Sequence, residues 1–198
     1  MRRVAVIGGS ATGKTTLSRE LAARLGVPHI ELDALHHDPG WTEVAAEVLQ
    51  SRVDAAIAAA PDGWVSDGNY HGKLGVSVVE RADTLVFLDL PFLLTLGRVV
   101  RRTIRRSLRR EELWNGNRET FRNSFFSRQS IVWWVITQHG KTRRKWPARY
   151  ATLTHLEVVR LRSPREVRAF LQSIQATESM SGSSNGRDRQ NTPPLAET

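Results

Sequence analysis

The chain has no cysteine at all. Disulfides, thiolate metal sites and cysteine nucleophiles are thereby excluded, and the composition fits a cytoplasmic setting. Long hydrophobic runs are missing too: no wholly apolar stretch exceeds six residues, the length of Ile131 to Ile136, so nothing in the sequence spans a bilayer. The first strand begins almost at Met1, which leaves no room for a signal peptide. A soluble protein with no membrane partner is the expectation. No internal repeat is visible.

What the chain has is length and positive charge. Its 198 residues suit one domain with a real core, expected over 1–175. The net charge of +9 is unevenly placed. Between Arg98 and Arg149 there are fifteen Lys or Arg against three Glu, so the basic character belongs to one region. Such a patch calls for anionic partners, whether nucleotide phosphates, nucleic acid or a membrane surface.

The most informative stretch is Gly8-Gly9-Ser10-Ala11-Thr12-Gly13-Lys14-Thr15, which fits G-x-x-x-x-G-K-[ST] at every fixed position. Its context agrees. Arg3 to Ile7 is a short β-branched run, and Leu17, Leu21 and Leu25 mark one face of a helix from Lys14. Gly8 and Gly13 let successive N–H groups turn into one concavity, to which the helix adds its positive end. The cradle from Gly8 to Thr16 therefore binds polyphosphate. Lys14 reaches the β- and γ-phosphates, and the Thr15 hydroxyl is the candidate Mg²⁺ ligand.

Further strands are predicted at His29–Leu32, Trp64–Asp67, Leu85–Asp89 and Leu156–Leu161, with helices at Trp41–Ala60, Phe92–Arg110, Arg118–His139 and Pro164–Ile174. Residues 176–198 read as a disordered tail, rich in Ser, Gly, Asn, Thr and Pro. Alternating strands and helices predict an α/β, three-layer fold with a five-stranded parallel sheet and ligands at the carboxyl ends of its strands. Asp33, Asp67 and Asp89 all fall on that edge.

Each has two readings. Asp67 is either a magnesium and catalytic carboxylate or a turn residue capping its own backbone. Asp33 is assigned to the acceptor, and Asp89 is either a residue behind the magnesium or a helix-start cap. His36 and His37 are adjacent and point apart, without ligating partners at helical spacing, so they are assigned to the acceptor pocket or to solvent rather than to a metal. One of Trp133 and Trp134 is expected in the core and the other outside. In the helix from Phe92, seven arginines from Arg98 to Arg110 fill about half the circumference at roughly 100° per residue, while Val100, Ile104 and Leu108 share the opposite, packing side.

Together the loop, Asp67-Gly68-Asn69-Tyr70, Phe87-Leu88-Asp89-Leu90-Pro91 and the arginine helix resemble the adenylate-kinase-like P-loop kinases. Leu32-Asp33-Ala34-Leu35-His36, Pro39-Gly40-Trp41 and Leu113-Trp114-Asn115-Gly116-Asn117-Arg118-Glu119 look more specifically like the bacterial subgroup labelled topology modulation protein. The resemblance runs from about Arg3 to Ile174. It implies Arg98 against the adenine, Arg102 on phosphates, and Arg162, Ser163 and Pro164 near the base. It also implies a short arginine-rich lid, about 111–118, with Arg118 and Arg122 as closing groups. Asp33, His36, Asn69 and Arg122 are assigned to the acceptor.

The expected activity is transfer of the γ-phosphoryl group of Mg-ATP to a small-molecule or nucleotide acceptor, with Lys14, Asp67, Arg102 and Arg118 as catalytic groups. The subgroup label implies an influence on DNA topology. Hence the second reading, an ATP-gated DNA-binding protein using the Arg98–Arg110 face. A slow ATPase without an acceptor is a third.

Overall fold

The structure is a computed structural model that describes residues 1–109, 115, 133, 135–137, 140, 145, 146, 149, 150 and 152–184, with 106–109 and 175–184 described by backbone alone. Arg118, Arg122, Trp134 and all of the expected lid except Asn115 lie outside the described residues.

Strand β1 (Arg3–Gly8) leads through the glycine loop into α1 (Lys14–Leu25). β2 (His29–Glu31) passes directly into α2 (Leu32–His36), then β3 (His37–Asp38), a 3₁₀ turn at Pro39–Trp41 and β4 (Thr42–Glu43). α3 (Ala46–Ala58), β5 (Trp64–Asp67), α4 (His71–Leu74), α5 (Ser77–Glu80), β6 (Thr84–Leu88) and α6 (Phe92–Arg109) follow. β7 (Glu157–Leu161) and α7 (Pro164–Ser184) come last in the described chain.

Five strands form one parallel sheet in the order β2-β5-β1-β6-β7, and β3 pairs with β4 as a separate antiparallel hairpin. Side chains alternate across a strand, so each strand feeds two cores. Val4, Val6, Val65, Val86 and Leu88 meet Leu17, Leu21 and Leu25 of α1 and Leu171 and Ile174 of α7. On the other face Ala5, Ile7, Trp64, Leu85 and Phe87 meet Leu49 and Val53 of α3, with Trp146 and Tyr150. Burying each such aliphatic side chain contributes about 1.5–3 kcal/mol, enough to fix the register of short strands. The α/β three-layer fold with a five-stranded parallel sheet is therefore present.

Several boundaries differ from expectation. The helix expected from Trp41 starts at Ala46, because Pro39-Gly40 turns the chain, with Gly40 at φ 75°, and Thr42–Glu43 is taken by the hairpin. Asp33 sits in the first turn of α2, not at a strand end. The last helix continues to Ser184, into the segment expected as a tail, since Ala176 to Met180 contains no breaker. On α6 the core side is Thr95, Val99 and Thr103, all fully buried, whereas Val100 is half-buried and Ile104 exposed. Small threonines at these positions let the helix lie close; Thr95 satisfies its own hydroxyl on the Pro91 carbonyl at 3.1 Å. Among the described residues no helix is long and apolar enough to cross a membrane.

Candidate active site

The glycine loop is held from behind. A Cβ on Gly8 would lie 2.8 Å from Oγ1 of Thr12 and 2.9 Å from Cβ of Leu88, so only glycine fits between β6 and the loop. Gly13 takes φ 97° at the start of α1. Asn69 clasps Gly8: its Oδ1 accepts from the Gly8 N–H at 3.4 Å, and its Nδ2 donates to the Gly8 carbonyl. Arg98 donates to the Thr12 carbonyl at 3.0 Å, and Thr12, itself buried, donates to the Gly9 carbonyl at 2.8 Å. These donors take carbonyl oxygens. Gly8 gives its N–H to Asn69 and Thr12 gives its own to the Gly9 carbonyl at 3.4 Å, so the amides at the start of α1 are the ones placed for an anion.

Lys14 lies folded along the loop, its Nζ donating to the carbonyls of Gly8 and Gly9 at 3.1 Å each. Desolvation lowers its pKa; the Asp33 and Asp67 carboxylates oppose that shift and the Arg102 guanidinium adds to it. Both acids and Arg102 are therefore close enough to act on the ammonium. Arg102 also reaches Oγ of Ser10 at 3.4 Å.

The Thr15 hydroxyl donates to Oδ2 of Asp67 at 2.6 Å. Its proton is thus directed at the carboxylate, which leaves the lone pairs of the same oxygen free to ligate. Asp67 is almost wholly buried, at 3% exposure. A hydroxyl and a carboxylate side by side at the mouth of a phosphate loop are hard oxygen donors of the kind Mg²⁺ takes. The residues fit the ion. Elsewhere among the described residues no group of three or more His, Asp or Glu is arranged to hold a metal.

Across the edge, Tyr70 donates its hydroxyl to Oδ1 of Asp33 at 2.6 Å. Burial, with the Asp33 carboxylate adding to it, raises the Tyr70 pKa far above its ordinary value, so the ring oxygen keeps its proton. His36 lies against Tyr70 and His37, with ring centroids 4.5 and 4.6 Å apart, and His37 meets Trp41 edge-on at 5.5 Å. Lys73 braces this wall, donating to Glu43 at 3.1 Å and to the Val44 carbonyl at 2.9 Å. Asn115 of the expected lid is bonded there too, its Nδ2 donating to the carbonyls of Ala34 and His37.

With this geometry in view, solved structures can be compared. No family model matches the sequence, and no curated protein is similar to it in sequence. The fold is similar to that of shikimate kinases. Shikimate kinase from Acinetobacter baumannii, solved in complex with shikimate, superposes with a TM-score of 0.53 at 14% identity, over 95% of this chain and 96% of that one. Shikimate kinase from Bacteroides thetaiotaomicron gives a TM-score of 0.50 at 16% identity, over 90% and 98%. What the chain shares with these kinases is the fold, an α/β architecture around a parallel sheet.

Sequence-derived site residues thus separate into groups. Gly8 to Thr15, Asp67, Arg98 and Arg102 converge on one loop, with Asp33 near Lys14. Thr16 is exposed on the first turn of α1. Asn69, expected on the acceptor, spends its amide on Gly8 instead, because the turn after β5 runs beside β1. His36 is buried, with Nε2 3.4 Å from both Lys73 and Glu43. Asp89 is buried and accepts from Arg160 at 2.9 and 2.6 Å, a partner that neither expected role named. Arg162 is exposed beyond β7, where Glu166 accepts from its N–H at 2.8 Å and from Ser163 at 3.0 Å in a capping box. Trp133 is on the surface. The arginine face is not a free stripe, since Arg98 and Arg102 turn to the loop.

One contact was missed by sequence reasoning. Nε2 of His29 lies 2.9 Å from Oδ1 of Asp67. The signal was present in the alternation of β2, where Ile30 and Leu32 are buried among apolar neighbours and His29 and Glu31 take the opposite face of a sheet covered on both sides.

Proposed function

We propose that the chain is a Mg-ATP-dependent phosphotransferase whose acceptor presents a hydroxyl group. The observation that carries this is the pairing of Tyr70 with Asp33 beside Lys14. One carboxylate oxygen accepts from Tyr70, and the other has no partner among the described residues. A negative carboxylate whose charge acts on Lys14 repels a phosphate or carboxylate acceptor and attracts a hydroxyl proton.

In this reading the triphosphate lies at the amides that begin α1. Lys14 leaves the Gly8 and Gly9 carbonyls for the β- and γ-phosphates, exchanging two neutral acceptors for charged ones. When bound by Thr15 and Asp67, Mg²⁺ supplies charge neutralisation at the phosphates. Asp33 orients the acceptor hydroxyl and takes its proton as the oxygen bonds to the γ-phosphorus and the bond to the β,γ-bridging oxygen breaks. Arg102 stabilises charge on the moving group, and Arg98 holds the loop at Thr12. Arg118 and Arg122 are the proposed closing groups, and the chain is proposed to work in the cytoplasm. The shikimate-bound neighbour, whose ligand carries hydroxyls, supports a small hydroxylated acceptor class without fixing the molecule.

The test is ATP consumption with Mg²⁺ against a panel of hydroxylated small molecules and of nucleoside monophosphates, with Lys14→Ala as control. Turnover dependent on a hydroxylated acceptor and lost in the variant is the expected outcome. Turnover only with nucleoside monophosphates overturns the assignment of Asp33, and no turnover with any acceptor overturns the kinase.

A further inference from the structure

We infer that His29 is a positioning residue for Asp67, fixing the carboxylate that holds the metal. The inference rests on the kinase reading, but the evidence for it is geometric and separate. Asp67 is 3% exposed, so its carboxylate has lost nearly all its water and needs hydrogen bonds in exchange. It receives two. Thr15 donates to Oδ2 at 2.6 Å from α1, and His29 meets Oδ1 at 2.9 Å from β2. A carboxylate only accepts, so Nε2 carries the hydrogen in this contact.

Each oxygen is thus held by a different element, while the side chain itself rises from β5. Rotation of the carboxylate about its own bond would break both contacts at once. The register explains how β2 reaches it: Glu31 pairs with Asp67 and His29 with Val65, so His29 stands two residues back on the same face. That face is the one α1 covers, since Arg19 of α1 bonds Glu31 at 3.1 Å. His29 is mostly covered, with 15% of its side chain exposed, and sits on the edge strand beside the carboxylate.

His29 is not itself a ligand. Its Nε2 is committed to Asp67, and Mg²⁺ takes oxygen donors. Groups that hold a metal-binding carboxylate in place typically change metal affinity or activity about 10–100-fold when lost. The expected consequence of losing this one is a weaker metal site with nucleotide recognition intact.

The readout is Mn²⁺ binding to the protein–ADP complex, followed by electron paramagnetic resonance of free Mn²⁺, together with ADP affinity measured in chelator. His29→Leu should weaken Mn²⁺ binding about 10-fold or more while metal-free ADP affinity stays within about 2-fold. His29→Gln, whose amide nitrogen sits at nearly the reach of Nε2, should recover binding to within about 3-fold of wild type. Should His29→Leu fail to fold, His29→Asn against His29→Gln carries the same comparison, because the asparagine amide stops one bond short. Wild-type Mn²⁺ affinity in folded His29→Leu overturns the proposal, as does a Gln variant as weak as Leu or Asn. Failure of the wild-type protein to bind ADP at all sinks the kinase reading instead, and this role with it.

Discussion

Tyr70 and Asp33 share a 2.6 Å hydrogen bond from two separate elements, the turn after β5 and the first turn of α2. The contact leaves Asp33 one oxygen for an acceptor. Replacing Asp33 with Asn keeps the shape and removes the proposed base. Acceptor-dependent turnover should fall about 10²–10⁴-fold, with ATP affinity within about 2-fold. Tyr70→Phe removes one hydrogen bond and should cost about 10-fold or less. Steady-state kinetics decide it: an Asp33→Asn enzyme with full turnover removes this carboxylate from the chemistry.

Thr15 and Asp67 give the second expectation. Asp67→Asn keeps an oxygen near the metal position but removes the charge, and it presents an amide where both Thr15 and His29 now donate. Turnover at saturating ATP should fall about 10²-fold or more, and the Mg²⁺ concentration for half-maximal rate should rise. A variant with wild-type rate and wild-type Mg²⁺ requirement would assign Asp67 to structure alone.

The loop, the strands and the parallel sheet were legible because each rests on local pattern: glycines at fixed spacing, β-branched runs, leucines four apart. The arginine helix was half legible. Its periodicity is real, but periodicity does not say which side meets the core, and burial of Thr95, Val99 and Thr103 turned Arg98 and Arg102 to the loop. The contacts that Asn69, Asp89 and His29 make were not named for one reason. Their partners are 61, 71 and 38 residues away, and a local pattern such as the alternation of β2 gives the face of a residue but not a partner at that distance.

Asp89 and Arg160 form a pair whose acid is buried and whose base is partly open, with side-chain exposures of 2% and 35%. Removing the base alone takes its ion-pair partner from a carboxylate that is 2% exposed. Arg160→Leu should cost about 3 kcal/mol in urea unfolding. Adding Asp89→Asn should restore much of that loss, because the stranded charge is gone. If the double variant is as unstable as the sum of its parts, the pair contributes no coupling.

Acid should weaken the fold through two histidines. His36 is shifted below the ordinary 6.5 by burial first, then by Lys73 and His37, and His71 by burial and then by Arg149. With folded values below the unfolded one, the unfolded chain binds more protons between them, so stability falls as pH drops below about 6.5. His71 stays beside the Tyr150 hydroxyl, whose own pKa burial pushes up to about 12. The melting temperature of wild type should fall on acidification, and His36→Asn and His71→Asn should each make the fall shallower. Parallel curves for all three proteins would place the acid sensitivity elsewhere.

In the proposed function, Lys14 makes nucleotide binding a proton-linked event. In the free protein its pKa lies below 10.5 because desolvation outweighs the carboxylates, and among the described residues its ammonium donates its hydrogen bonds to neutral carbonyls, at Gly8 and Gly9. Phosphate oxygens favour the charged form far more strongly, so binding raises that pKa. Between the free and bound values the complex holds more protons than its parts, and binding takes protons up. Uptake should therefore grow as pH rises toward 10.5, and affinity should weaken once the free protein begins to lose its proton. Titration calorimetry of ATP binding in buffers of different ionisation enthalpy measures the uptake directly. Release of protons on binding, or no exchange at any alkaline pH, would mean that Lys14 keeps its carbonyl partners and does not move to the phosphates.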